Sequence, residues 1–243
     1  MATLFRTEGL AVTQASDVHG DLQLTADVIV IGSGAGGAVV AYEMAKAGRN
    51  VLILEAGPYV PSSEFTEDFT EAMDTLYAER GTQANVDGDL LVLQGRCVGG
   101  STVINGCVAF RTPEHILTRW QQEFGLTNLT MEALSPHFEK VEKHLHIQRN
   151  GAHEINANAQ TIVRGCEALG LSWQSFERNV KACALTGHCL SGCASDRKQS
   201  MLVTYLPWAI AHGARLFADT RVQRIVSTDG RVEGVLAEVI DPA

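Results

Sequence analysis

VIVIGSGAGGAVVAYEMAKAGRNVLILE, residues 28–55, decides the fold of this chain. It opens, after Asp27, with Val28-Ile-Val-Ile31, a short apolar, β-branched run of the kind found in strands buried on both faces. Residues 36–47 suit a helix, and Gly48 stops it. Val51-Leu-Ile-Leu54 is a second buried strand, closed by Glu55 and a Gly57-Pro58 break. A crossover of this length requires the two strands to be parallel. Between the first strand and the helix, Gly32-Ser33-Gly34-Ala35-Gly36-Gly37 fits GxGxxG. In that pattern Gly32 permits the tight turn, Gly34 lets backbone approach a diphosphate, and Gly37 lets helix and strand pack closely. The diphosphate would face unpaired N–H groups at the positive end of the helix dipole. Glu55 follows Gly32 by 23 residues, where a carboxylate can accept from a ribose 2′-hydroxyl and would repel a 2′-phosphate. Strand, helix and acid together favour a dinucleotide site over an empty glycine turn, and they disfavour NADP. They do not separate NAD from FAD.

A second glycine-rich stretch lies downstream: Arg96-Cys-Val-Gly99-Gly100-Ser101-Thr-Val-Ile-Asn105-Gly106. Adjacent glycines beside hydroxyl and amide side chains permit close backbone contact with a flat polar ligand, and Asn105 is available to orient it. A glycine-rich turn leading into a strand explains the same residues equally well. A nicotinamide-linked dehydrogenase would leave the stretch unexplained.

Outward from these motifs, residues 1–25 form a polar lead-in and helical patterns occupy 114–124, 131–145, 157–169 and roughly 199–212. The tail alternates through ARLFA, VQRIVS and RVEGVLAEVI, and Asp229-Gly230 between the last two is a hairpin signal. The acidic run 64–79 reads as a solvated helix or loop. Hydrophobic residues make up 45% and charged residues 19%, with a net charge of −9, which argues against a nucleic-acid partner. No secretory signal and no transmembrane run is recognisable, so the expected compartment is the cytoplasm and the six cysteines are read as thiols or ligands. His137, His144, His146 and His153 lack a partner set of defined geometry and read as a solvated face.

VIVIGSGAGGAVVAYEMAKAGRNVLILEAGP, followed in order by GRCVGGSTVINGCVAFR and KQSMLVTYLPWAIAHGARLFADTRVQRIVSTDGRVEGV, resembles the glucose–methanol–choline (GMC) oxidoreductases over roughly residues 25–240. The resemblance implies an α/β fold: a Rossmann-like FAD-binding domain of glutathione-reductase type over 26–243, with a β-hairpin at its C-terminal end. It implies FAD as cofactor and oxidation of an alcohol by hydride transfer. By motif, Gly32, Gly34, Gly37 and Glu55 would hold the ADP part, and Ser33 and Ala56 within the same segments join the cofactor-binding set. Arg96, Gly99, Gly100, Ser101, Asn105 and Gly106 would line the pyrophosphate and flavin, and the backbone of Val222 would meet the adenine. The family's catalytic His with a second His or Asn lies near the end of a much longer chain. No residue here is therefore named as catalytic base, the substrate-binding domain is expected to be largely absent, and the chain alone is expected to be inactive. KQSMLVTYLP leans towards a long-chain or otherwise apolar alcohol.

Cys183, Cys189 and Cys193 follow a C-x5-C-x3-C spacing with Gly187 and Gly192 between them. The loop resembles that of cluster-bearing sugar dehydrogenases, which implies a [3Fe–4S] centre, and that of the long-chain alcohol oxidase branch. Unliganded thiols, or zinc with His188 as fourth ligand, remain open beside it. Two other functions stand beside the alcohol oxidoreductase. One is an electron-transfer subunit passing electrons from flavin through a cluster to a redox partner. The other is a non-catalytic FAD-binding module that needs a partner chain carrying the missing half.

Overall fold

The structure, a computed structural model, describes residues 10–240. In chain order its elements are β1 (Val12–Thr13), β2 (Val28–Ile31), α1 (Ala35–Lys46), β3 (Val51–Leu54), α2 (Phe69–Leu76), α3 (Glu114–Phe124), α4 (Met131–His144), β4 (Ile147–Arg149), α5 (Ala157–Ala168), β5 (Glu177–Asn179), α6 (Tyr205–Ala211), β6 (Arg215–Phe217), β7 (Thr220–Thr228) and β8 (Arg231–Val239). Two compact units divide the chain: Cys107–Leu185 is one, and the rest of the described chain is the other. The sequence alone marks a boundary only at residue 26.

The larger unit is built on a four-stranded parallel sheet in the order β1-β6-β3-β2. β2 and β3 pair from Val28↔Val51 to Ile31↔Leu54, the parallel register that the crossover requires. All four residues of β3 are buried, so each large apolar side chain contributes about 1.5–3 kcal/mol by leaving water. β2 differs from the two-sided burial its composition predicts: only Val30 is buried and Ile31 is 52% exposed. The reason is position, since β2 is an edge strand of the described sheet. The polar lead-in differs too. Val12–Thr13 pairs with Leu216–Phe217 as the opposite edge, and two residues are too short to carry a periodicity.

α1 buries Ala38, Ala41 and Ala45 on one face. Small side chains at this spacing let the helix lie close to the sheet, and Gly48 at φ +80° takes the left-handed conformation that ends it. α6 packs on α1 through aromatic edges, with Tyr42 5.6 Å from Tyr205 and 5.7 Å from Trp208. α6 begins at Tyr205, later than the expected 199, after a separate 3-10 turn at Met201–Val203. Pro207 is the cause: in a continuous helix its ring would collide with the carbonyl four residues back, whereas in the first turn of α6 it is tolerated. Thr204 breaks the path at ψ −95° and donates its hydroxyl to Ser200 O at 2.6 Å.

The β7–β8 hairpin turns at Asp229 (φ 50°) and Gly230 (φ 77°), both left-handed as a type I′ turn demands. α2 is acidic, as expected, but buries Ala72 and Leu76, and Asp68 caps it by accepting from Thr70 N and Glu71 N. In the smaller unit the three predicted helices fall within a residue of their expected bounds. Gly125 at φ +67° closes α3, while Thr130 and Asn156 cap α4 and α5 through Ala133 N and Ala159 N.

Candidate dinucleotide site

Gly32 leaves β2 at φ +89°, a conformation that a side chain strains, and its N–H donates to Leu54 O. Two residues on, Gly34 caps α1 without a side chain of its own. A Cβ on Gly37 would sit 2.0 Å from Gly32 O and 3.1 Å from Val30 Cγ1. That position therefore has the close helix–strand contact the third glycine of the motif serves. Gly36 has open space around it. The first N–H groups of α1 have no intrahelical acceptor and point out of the positive end of the helix.

Ser33 and Glu55 join this loop to β3. Glu55 is buried at 7% exposure, and its Oε2 accepts from Ser33 N (2.8 Å) and Ser33 Oγ (2.6 Å). Its Oε1 accepts from Gly57 N at 2.9 Å. Three donors stabilise the carboxylate, and the second lone pair of Oε1 is left for another donor such as a ribose hydroxyl. Ser33 Oγ also accepts from Gly99 N at 2.9 Å. One fully buried hydroxyl thus connects the acid at the end of β3 to the second glycine-rich stretch.

The two stretches meet backbone to backbone. A Cβ on Gly100, which sits at φ +55°, would lie 2.9 Å from Gly34 Cα. Gly57, expected only to end the second strand, and Gly95 complete the packing. A Cβ on Gly57 would come within 2.3 Å of Arg96 C, and one on Gly95 within 2.7 Å of Gly100 C. Their signal is present in the sequence, since Gly57 lies two residues after the acid and Gly95 directly precedes Arg96. Gly99, at φ +96°, packs against Val103 and Leu202. Ser101 Oγ accepts from Gly95 N at 3.0 Å. The stretch contains a 3-10 turn at Gly100–Thr102 and, where a glycine-rich turn would lead into a strand, leads into none of the described strands.

The far side of the stretch rests on the segment after the cysteine loop. Met201 N donates to Thr102 Oγ1 at 3.0 Å. Lys198, 2% exposed, donates from Nζ to Val103 O (2.5 Å), Cys189 O (2.6 Å) and Asn105 O (3.0 Å). Nothing in the sequence separates this lysine from a surface one. Burial pushes the Cys97 thiol up to about 12, with the Glu55 carboxylate adding to the shift and the Lys198 ammonium opposing it, so Cys97 stays a protonated packing group. Asn105 and Gly106 are exposed on this stretch.

β7 enters the same neighbourhood. Asp219 N donates to Gly57 O at 3.0 Å and Thr220 N to Glu55 O at 2.7 Å. Val222 follows two residues later, half-buried and paired with Ala237. Ala56, also half-buried, lies between Glu55 and Gly57. An FAD molecule fits this residue set on two observations. Gly34 and Gly37 leave bare backbone at a helix N-terminus, and the buried Nε of Arg96 has no hydrogen-bond partner. An unsatisfied buried guanidinium donor suits an anionic acceptor.

Among the described residues no three His, Cys, Asp or Glu side chains form a group that could hold a metal ion. Cys183 Sγ accepts from Leu185 N, while Cys193 Sγ accepts from Lys198 N and pairs with Ser195 Oγ. These are backbone-orienting roles for thiols. The described residues give no support to the cluster reading of Cys183, Cys189 and Cys193.

Among the described residues no helix is long and apolar enough to cross a membrane.

Fold and site together define the class, an α/β protein with a dinucleotide cradle, and comparison with known proteins narrows it. Residues 27–73 match an FAD binding domain, and residues 73–242 match the GMC oxidoreductases. The chain belongs to the GMC oxidoreductase family. It is 34% identical to a GMC-type oxidoreductase of Sinorhizobium fredii over 92% of its own length and 44% of that protein's. With a long-chain-alcohol oxidase of Arabidopsis thaliana it shares 31% identity over 86% of this chain and 28% of the other. The chain thus spans less than half the length of these relatives. Among solved structures, pyridoxine 4-oxidase has a similar fold, with a TM-score of 0.63 and 17% identity over 89% of this chain and 48% of that one. Formate oxidase is similar at a TM-score of 0.58 and 15% identity over 87% of this chain and 42% of that one.

Proposed function

We propose that this chain is the FAD-binding part of an oxidoreductase acting on the CH–OH group of an alcohol, with hydride passing from the alcohol carbon to the flavin. The junction of Gly34 with Gly100 carries the reading, because it sets the second glycine-rich stretch against the phosphate loop. In this reading Gly32, Ser33, Gly34, Gly37, Glu55 and Ala56 hold the ADP portion. The N–H groups at the start of α1 neutralise the diphosphate, helped by the Arg96 guanidinium. Glu55 Oε1 takes a ribose hydroxyl, and the backbone of Val222 borders the adenine. Gly99, Gly100, Ser101, Asn105 and Gly106 face the flavin, where the absence of side chains at the glycines lets the ring lie close. Bound FAD supplies the two-electron acceptor that no side chain can provide.

No residue of this chain is assigned as the base that takes the alcohol proton. That group, and most of the substrate pocket, belong in this account to the part of the family's length the chain does not span, or to a partner chain that carries it. The alcohol is proposed to be apolar, on the ground that several relatives at 31–33% identity are named long-chain-alcohol oxidases. Thermal unfolding of the chain with added FAD or NADP tests the cofactor. FAD at about a hundred times its dissociation constant stabilises by about 2.7 kcal/mol, which raises the midpoint by several degrees, whereas NADP leaves it unmoved. Equal shifts, or none with FAD, count against the reading.

A further inference from the structure

Lys198 is buried beneath the second glycine-rich stretch, in a place the cofactor reading does not use. A lysine ammonium has three N–H donors, and all three find carbonyls: Val103 O, Asn105 O and Cys189 O, at 2.5, 3.0 and 2.6 Å. Two of these acceptors sit in the stretch itself, two residues apart. No peptide bond of the described chain is cis, so in each peptide the C=O and N–H point in opposite directions. Drawing the Val103 and Asn105 carbonyls inward onto one ammonium turns the N–H groups of Ile104 and Gly106 away from it. Gly106 N–H has no hydrogen-bond partner among the described residues, and Asn105 and Gly106 are exposed. The third bond, to Cys189 O, ties the same ammonium to the cysteine loop. That loop is held again at Lys198 N, which donates to Cys193 Sγ. Met201 N, bonded to Thr102 Oγ1, holds the residue just before Val103.

We propose that Lys198 is a positioning residue for the flavin-facing loop: its ammonium fixes the peptides at Val103 and Asn105 so that Gly106 N–H is presented as a preset donor to the flavin ring. The inference rests on the FAD reading above. Desolvating an ammonium is costly, and the cost is offset only while all its donors are used, which makes the anchor stiff. Removing it leaves three carbonyls to find other partners and frees the loop at the residues that meet the ring. The ADP cradle, at Gly32–Gly37 and Glu55, makes no bond to Lys198 and keeps its geometry.

The test is the ratio of FAD affinity to ADP affinity in the 243-residue chain, wild type against Lys198→Met. Methionine matches the length of the stem and has no donor. The expected result is FAD binding weakened at least about tenfold with ADP binding unchanged within about twofold, as loss of ring contacts alone dictates. The circular dichroism of the bound flavin in the visible region should change with it. Equal losses for both ligands, or no loss for either, overturn the proposal. Should the methionine variant not fold, Lys198→Arg replaces it. Arginine keeps the cation but not the geometry for three carbonyls, so the same selective loss is expected and an unchanged ratio overturns the proposal. If neither variant folds, Lys198 supports the whole unit and not the loop, and the proposal falls. Wild type that binds no FAD removes the flavin reading instead, and this is seen without any variant.

Discussion

Gly36 and Gly37 are neighbours in the first turn of α1, yet a methyl group meets opposite surroundings at each. At Gly37 a Cβ lands 2.0 Å from Gly32 O, and the obstacle is backbone that cannot rotate aside. Gly37→Ala is therefore expected to lower stability by about 1–3 kcal/mol, the usual cost of overpacking. At Gly36 the space is open, and alanine there should leave stability unchanged or raise it by up to about 1 kcal/mol through helix propensity. Urea unfolding of the two variants checks the pair, and equal effects would contradict the assignment of the third motif glycine. Glu55→Gln is the matching test of the acid. Both backbone partners, Ser33 N and Gly57 N, are donors, so an amide must turn its own N–H₂ towards one of them or leave it unpaired. The expected loss is about 2–3 kcal/mol in the same assay. The sequence made Gly32, Gly34, Gly37 and Glu55 legible because each occupies a fixed offset from a strand or helix end. Ser33 was legible only as part of the motif. Its hydroxyl joins Glu55 to Gly99, 66 residues away in sequence, and no local pattern records such a bond.

At the scale of elements, local chemistry set what could be read in advance. Asp229-Gly230 announces its own turn, and the helices that begin at Glu114, Met131 and Ala157 carry clear periodicity and end near glycine or a leucine cap. What escaped depended on distant chain. β1 is two residues long and exists because β6, some 200 residues on, offers an edge. β2 is as apolar as β3 but more exposed, because the sheet places one at its edge and the other inside. In the cysteine loop, whose spacing suits a cluster, Cys183 Sγ and Cys193 Sγ accept from nearby backbone, Leu185 N and Lys198 N. Its thiols can be told from the core ones by reactivity. Cys97 and Cys107 are buried, whereas Cys166, Cys183, Cys189 and Cys193 are partly exposed. A thiol reagent at neutral pH should modify up to four cysteines in the native chain and six after denaturation. Peptide mapping that finds Cys97 modified under native conditions contradicts the placement of the second glycine-rich stretch.

For the molecule as a whole, the titration of its core gives a sign for stability against pH. The Cys97 thiol is raised from 9.0 to about 12 by burial, and the Tyr205 hydroxyl from 10.0 to about 12 for the same first reason. Both groups hold their protons longer in the folded chain, so at alkaline pH the unfolded state binds fewer protons and stability falls as pH rises. Their contribution is fully present below the unfolded values of 9.0 and 10.0 and is lost progressively towards about 12. Urea midpoints at about pH 8 and about pH 10.5 should show a clear decrease, and Cys97→Ala should make that decrease smaller. The central claim concerns FAD, and reconstitution tests it most directly. The purified chain is mixed with excess FAD, passed through gel filtration, and its flavin absorbance is compared with its protein content. Stoichiometric flavin travelling with the folded chain is the expected result. A folded chain that emerges colourless, with all the flavin in the small-molecule fractions, contradicts the account.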